Sequence, residues 1–238
     1  MAEDTAGLSR SVEDYLKVIY ALSELGEAAS TTAIAQALDV QPASVTEMIK
    51  RLAESSYLTH VPYRGVRLTE TGTREALRIL RRHRIIETYL TERLGYAWEE
   101  VHPEAESLEH AASDRLIERM AAALENPSHD PHGAPIPTST GEIEPTDSLT
   151  LSELAPREEA RVRAVRDDDT EGLLAVEAAG LLPGARVQVL GRTLNPPMLK
   201  VEVGLGGTVG GVLDVPVAVA RRVYVVLPPA AGEGKGDG

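Results

Sequence analysis

Three of the six histidines, His83, His102 and His110, fall within one short stretch, 83–110, where they are interleaved with carboxylates. Residues i, i+3 and i+4 share a face of a helix. His83 with Glu87, and Glu106 with Glu109 and His110, therefore project as two convergent nitrogen and oxygen donor sets. Cysteine is absent, so there is no thiolate ligand and no disulfide framework, and an ion would have to be held by imidazole and carboxylate. Each pair has a plainer reading as well. His83 and Glu87 fit an ordinary i,i+4 ion pair, His102 before Pro103 fits a helix start, and Glu106 with Glu109 fits a solvated acidic face. Asp14, on the first helix, adds little by itself. The chemistry is suggested by the combination, and by what precedes it in the chain.

The elements that would position these residues follow from apolar spacing. SVEDYLKVIYALSEL places Val12, Tyr15, Leu16, Ile19, Tyr20, Leu22 and Leu25 on one helical face, with Ser11 as the expected N-cap and Gly26 as the stop. Thr31 or Thr32 is expected to cap TTAIAQAL, and Pro42 suits the first turn of the next helix, PASVTEMIKRLAESS. Ile34, Ala35, Leu38, Val45, Met48, Ile49 and Leu52 face inward in this pair, which is the pattern of a helix-turn-helix. YLTHVP and VRLT then flank Tyr63-Arg64-Gly65 as a hairpin. The whole reads as a winged helix. Ser44, Thr46, Glu47, Lys50 and Arg51 lie on the outer face of the second helix, with donors and acceptors for base edges and phosphates, and Arg64 and Arg67 in the wing are placed for backbone phosphate. A small helical domain with a solvated polar face is the competing reading.

A long helix is expected from Thr69 to Gly95, with Leu77, Leu80, Ile85, Ile86, Tyr89, Leu90 and Leu94 as its apolar stripe. A further helix is expected from about Glu104 to Leu124, its end apolar enough to pack on a second copy of itself. Net charge is −13, but it is uneven: Lys50 to Arg93 hold ten Lys/Arg against five Asp/Glu, whereas 99–238 hold 24 acids and 12 bases. A local row of cations matters more for phosphate than overall pI. No apolar run reaches the roughly 20 residues of a membrane span, and the N-terminus lacks the pattern of a signal peptide. A soluble, cytoplasmic protein that does not engage a membrane is expected.

Residues 127–157 are rich in Pro, Ser and Thr and read as a surface linker, with His129 and His132 as turn residues. Residues 158–227 hold short β-rich runs around one short helix near TEGLLAVEAAG, the pattern of a small all-β barrel. Asp167, Asp168, Asp169 and Glu171 crowd the start of that helix, where a solvated cap is the simplest role. The tail, 228–238, has a disordered composition. The expected organisation is a winged helix-turn-helix (1–70), a helical dimerisation and metal-binding domain (71–126), the linker (127–157), the barrel (158–227) and the tail.

VEDYLKVIYAL, VTEMIKRLAESSYL, GVRLTETG, RRHRIIETYL and VHPEAESLEHAASD, followed by DPHGAPIP, resemble the diphtheria-toxin-repressor family of metal-dependent regulators, and in particular its manganese-responsive branch. The resemblance runs over 9–137, and the β-rich region is similar to the SH3-like C-terminal domain of longer members. It implies a homodimeric winged-helix repressor that binds operator DNA when loaded with a divalent ion, commonly at metal-uptake genes. It also implies a primary site of Asp14, Glu106, Glu109 and His110, and a second of His83, Glu87 and His102 joined by Asp168 and Glu171. In the iron-responsive branch, methionine and cysteine typically stand where this chain has Asp14 and Glu106. Hard carboxylates there favour Mn²⁺ over softer ions, with Fe²⁺ as the alternative. The manganese branch commonly has a glutamate where this chain has Lys17, so two separate sites fit better than a paired manganese centre. A metallohydrolase using the same ligands would need a nucleophile or acid/base beside the ion, and the sequence offers none. A winged-helix regulator sensing something other than metal is the remaining alternative.

Overall fold

The computed structural model describes residues 8–23, 28–145, 149–167, 169–204 and 211–228. Leu25, Gly26, Asp168 and, apart from Pro228, the expected tail lie outside them. The chain divides into two compact units, Met1–Arg93 with Pro103–Ser128 and Ile136–Glu144, and Leu94–His102 with His129–Pro135 and Pro145–Gly238.

The first unit begins with α1 (Arg10–Ser23), α2 (Thr31–Ala37) and α3 (Pro42–Glu54), followed by the hairpin strands β1 (Leu58–Val61) and β2 (Gly65–Leu68). Two caps differ from expectation. The Ser9 carbonyl accepts from Val12 N and Glu13 N at 2.8 and 3.1 Å, so α1 starts ahead of Ser11. Ser30 Oγ, rather than Thr31 or Thr32, accepts from Ala33 N at 3.1 Å. Serine one position earlier satisfies the same orphan donors without placing a β-branched residue at the cap. Pro42 occupies the first turn of α3, where its missing N–H costs nothing. The strands pair from Leu58↔Leu68 to Val61↔Gly65, and Ala29 bridges Val66 as a short third edge. Val12, Leu16, Ile19, Ile34, Val45, Ile49, Leu52, Leu58 and Val66 close over one core with Ala76 and Ile79.

Ala76 and Ile79 come from α4 (Glu70–Leu94), which Thr69 caps by accepting from Gly72 N at 3.1 Å. Of the apolar stripe expected of α4, Leu77, Ile85, Ile86 and Leu90 are buried, Leu80 and Tyr89 are half-buried with Ile79 buried instead, and Leu94 is 60% exposed. Its inner face also carries Arg82, His83, Glu87 and Thr88, all buried. The single helix expected over 104–124 is instead two, α5 (Val101–Leu108) and α6 (Asp114–Ala123). Ser113 Oγ accepts from Leu116 N and begins α6 afresh. A Ser-Asp pair is a start signal, and it prevails over the continuous apolar spacing around it.

The second unit is a five-stranded antiparallel sheet of β3 (Glu159–Val165), β4 (Arg186–Leu194), β5 (Pro197–Gly204), β6 (Val212–Pro216) and β7 (Val223–Val226), in the order β6-β5-β4-β3-β7. Val162, Val187, Val189, Leu199, Val201 and Val225 alternate inward beneath Leu173 and Val176 of α7 (Thr170–Ala178). A short helix, α8 (Val217–Ala220), adds Ala220 to this core. The surface character expected for 127–157 does not hold throughout. Leu151 and Leu154 are fully buried in the same core, and Asp130 and His132 are buried as well. Leucines in a Pro-rich stretch lack a period to betray them, yet two are enough to seat a segment against a sheet.

Gly65 is where the wing depends on a missing side chain. Its φ is +125°, and a Cβ there would lie 2.1 Å from the Ala29 carbonyl oxygen. Gly65→Ala should therefore cost roughly 1–3 kcal/mol in urea unfolding, and an unshifted midpoint would refute this account of the wing.

Candidate metal centre and nucleic-acid face

Glu106, near the end of α5, Glu109 and His110 just beyond it, and Asp14 on α1 each bring one donor atom within 4.8 Å of the others. An octahedral ion with metal–oxygen lengths of roughly 2.0–2.6 Å sets its donors up to about 5 Å apart, twice that length, so the spacing fits a single ion. His110 supplies the sharpest detail. Its Nδ1 lies 2.6 Å from Glu13 Oε2. Its Nε2 is buried and finds no hydrogen-bond partner among the described residues, although it lies 3.0 Å from Asp14 Oδ1 and 3.4 Å from Glu109 Oε1. A carboxylate that fixes one ring nitrogen leaves the other with its lone pair aimed inward, as metal-ligating histidines are held. Three carboxylates and an imidazole are a hard donor set, suited to a divalent ion.

Two residues outside the expected set complete this centre. Glu13 is buried, and its other oxygen, Oε1, takes Arg82 at 3.4 Å, while Arg82 also reaches Asp114 at 2.8 Å. The sequence held a signal for Glu13: it stands among the inward residues of α1, three before Leu16, where a carboxylate needs a buried partner. The other is Lys17, whose Nζ lies 2.6 Å from both Glu106 Oε1 and Glu109 Oε1. Burial opposes charge on Lys17, but the two carboxylates more than offset it and raise its pKa. Burial pushes Asp14 up, against the pull of His110 and Lys17.

Glu109 is fully buried. Its Oε2 lies 2.5 Å from His83 Nδ1, and His83 Nε2 lies 2.9 Å from Glu87 Oε1. Burial disfavours the imidazolium, yet Glu87 and Glu109 together raise its pKa from 6.5 to about 10. Burial likewise opposes charge on Glu109, and His83 and Lys17 more than offset it, holding its pKa below the usual value. His83 and Glu87 thus meet as expected, but as part of an ion network shared with Glu109.

The remaining residues of the expected second site are distributed as follows. His102 belongs to the second unit, where its Nδ1 lies 3.8 Å from Asp167 Oδ2. His132 Nδ1 is equally 3.8 Å from that oxygen, and its Nε2 meets the Trp98 carbonyl at 2.9 Å. His132 is fully buried, unlike a surface turn residue. Asp168 lies outside the described residues. Asp169 caps α7 by accepting from Glu171 N and Gly172 N, and Glu171 is exposed in the first turn. Within this unit Asp167 lies beside both histidines, and Asp130 brings a further carboxylate within 4.8 Å of His132 and Asp167.

Ser44, Thr46, Glu47, Lys50 and Arg51 on α3 are all exposed, as are Arg64 and Arg67 in the wing. Thr46 Oγ1 turns back to the Pro42 carbonyl at 3.0 Å, and Lys50 faces Glu54 at 4.0 Å in a solvated pair. Tyr63, expected as part of the hairpin turn, stands fully exposed at the wing tip with φ 62°.

A winged helix whose first helix shares a partly buried cluster of carboxylates and an imidazole with the elements behind it has the form of a DNA-binding regulator with a candidate metal centre. Comparison with known proteins agrees. Residues 7–66 match the iron-dependent repressor N-terminal DNA-binding domain, 69–138 the iron-dependent repressor metal-binding and dimerisation domain, and 149–227 the FeoA domain. The iron-dependent repressor IdeR of Mycobacterium tuberculosis is 32% identical over 191 residues, 75% of this chain and 83% of the relative. The HTH-type transcriptional regulator MntR of Oceanobacillus iheyensis is 40% identical over 110 residues, 46% of this chain and 74% of the relative. A solved manganese-dependent transcriptional repressor in complex with manganese aligns over 91% of this chain and 100% of its own, with TM-score 0.83 and 35% identity. The chain belongs to the iron-dependent repressor family and is a metal-dependent transcriptional repressor. Members of this family are DNA-binding repressors and not enzymes, which removes the hydrolase alternative.

The His83 network has a pH signature. A histidine whose folded pKa is raised contributes stability that is complete below its unfolded value near 6.5 and is lost as pH rises through about 10. In chelator, the stability gap between wild type and His83→Gln should shrink by on the order of 1 kcal/mol per pH unit across that window. Urea unfolding at pH 6, 7.5 and 9 measures it, and a gap that ignores pH would refute a charged His83.

Proposed function

We propose that the chain is a manganese-responsive repressor that dimerises and binds a two-fold operator when Asp14, Glu106, Glu109 and His110 hold a divalent ion. The observation that carries this reading is His110, pinned at Nδ1 by Glu13 with its buried Nε2 facing the carboxylates of Asp14 and Glu109. A bound ion supplies concentrated positive charge where three carboxylates converge. Asp14 comes from α1 and the other three from α5 and just beyond it, so sharing an ion fixes α1 against them. On its apolar side α1 packs with α2, α3 and the hairpin, and that constraint favours one placement of α3 over the alternatives. Glu13 keeps the His110 lone pair inward throughout.

Oxygen-rich donors and the absence of sulfur support Mn²⁺, which sits lowest in the affinity order and is selected by hard donors and geometry. Fe²⁺ is the second reading, favoured by the likeness to an iron-dependent relative. The DNA face is Lys50, Arg51, Arg64 and Arg67 toward phosphates, with Ser44, Thr46 and Glu47 nearer base edges. Leu108 and Leu116 are large apolar side chains left exposed on α5 and α6, and they suit a partner copy. Such a regulator acts in the cytoplasm.

Operator binding by fluorescence anisotropy should tighten steeply when Mn²⁺ is added to chelated protein, and His110→Ala should abolish the response. Equal affinity with and without Mn²⁺ would sink the proposal, and a response to Fe²⁺ alone would select the second reading. For the DNA face, Arg64→Ala should weaken binding to all sequences alike and flatten the salt slope by about one unit. Unchanged affinity across several salt concentrations would remove the wing from the interface.

A further inference from the structure

We propose that Lys17 is a tethered cation that competes with the divalent ion, so that loading the primary centre exchanges an ammonium for the metal. The inference rests on the reading of Asp14, Glu106, Glu109 and His110 as ligands. Its own observation is separate: Lys17 Nζ lies 2.6 Å from Glu106 Oε1 and 2.6 Å from Glu109 Oε1, with its side chain only 16% exposed.

Glu109 Oε1 is also the oxygen that faces His110 Nε2, at 3.4 Å. Lys17 therefore engages the same Glu109 oxygen, and the same two carboxylates, that an ion shared with Asp14 and His110 would use. Two cations cannot sit within about 4 Å of one another in a poorly hydrated site without a large repulsion. Lys17 stands on α1 one turn after Asp14, so the ammonium must swing away on its own four-carbon stem while Asp14 stays. Lysine suits this role because its charge is compact and its stem flexible, whereas an arginine fork would hold both carboxylates more rigidly.

Two consequences follow. Without an ion, Lys17 neutralises Glu106 and Glu109 and keeps α1 beside them, so the fold does not depend on metal. With an ion, the affinity is lowered by the cost of releasing the ammonium, which sets the threshold for response upward. The residue thus tunes sensitivity without being a ligand.

The test uses full-length protein and Mn²⁺ alone as probe. Isothermal titration of chelator-stripped wild type, Lys17→Leu and Lys17→Arg should show Lys17→Leu binding Mn²⁺ about tenfold tighter or more, with Lys17→Arg no tighter than wild type. Leucine removes the ammonium from Glu106 Oε1 and Glu109 Oε1, so Lys17→Leu should melt below wild type in chelator and regain the difference in saturating Mn²⁺. Wild type gives a second readout that needs no substitution. The sequence has only four lysines, and mass spectrometry after brief amine acylation should show Lys17 labelled faster in Mn²⁺ than in chelator, relative to Lys50. Equal or weaker Mn²⁺ affinity in Lys17→Leu, or Lys17 labelling indifferent to Mn²⁺, overturns the exchange while leaving the ligand reading intact. If neither wild type nor Lys17→Leu binds Mn²⁺, the ligand reading fails and this inference with it. Should Lys17→Leu not fold in chelator, the labelling of wild type decides.

Discussion

A carboxylate with no exposure to solvent must have positive charge against it, and Glu109 is such a group. The cost of burying it unpaired would be several kcal/mol or more. Its two oxygens accordingly divide the surroundings between them, Oε1 toward Lys17 and His110, Oε2 toward His83. Those three residues come from α1, α4 and the turn after α5. α1, α4 and the turn after α5 are thus tied through one side chain, and an ion accepted there would alter the balance that holds them. An apolar side chain at 109 would fill the space and lose the responsiveness.

The same constraint gives α1, in the proposed function, the position from which an ion would act on the DNA face. Its apolar side, Val12, Tyr15, Leu16 and Ile19, is cemented into the winged-helix core, while Glu13, Asp14 and Lys17 face charges behind it. Closely packed interiors transmit displacement because they have little room to absorb it. A shift of α1 would therefore be expected to carry α3 and the hairpin with it, since all three share one core. The Arg82 link to both Glu13 and Asp114 extends the network to α6, the helix with Leu116 exposed.

Local pattern made much of this legible in the sequence. Apolar spacing located α1 to α4, the Tyr63-Arg64-Gly65 turn located the wing, and β-rich runs located the C-terminal sheet, because each depends on neighbours in the chain. The break between α5 and α6 was missed because apolar spacing continues across it and only Ser113-Asp114 marks the restart. Glu13 was missed for a different reason. Its partners Arg82 and His110 stand 69 and 97 residues away, and no periodicity encodes a pairing of that range. Lys17 was visible as a departure from the family pattern. That its charge would fall on Glu106 and Glu109 required their positions in space.

In the proposed function, the ligands and residue 17 act on the same free energy in opposite directions. Three carboxylates draw a divalent ion strongly, and without selection by affinity they would also admit ions higher in the order than Mn²⁺. A cation already seated on two of them taxes every entrant alike, so it raises the threshold without changing the ranking. Ranking is left to donor type and geometry, which here means oxygen from Asp14, Glu106 and Glu109 and one nitrogen from His110. On this reading sensitivity and selectivity are carried by different side chains, Lys17 for the first and the four ligands for the second. Because the tethered cation never leaves the molecule, the carboxylates are compensated with or without the ion, and the centre can respond to metal without the fold being forfeited when metal is scarce.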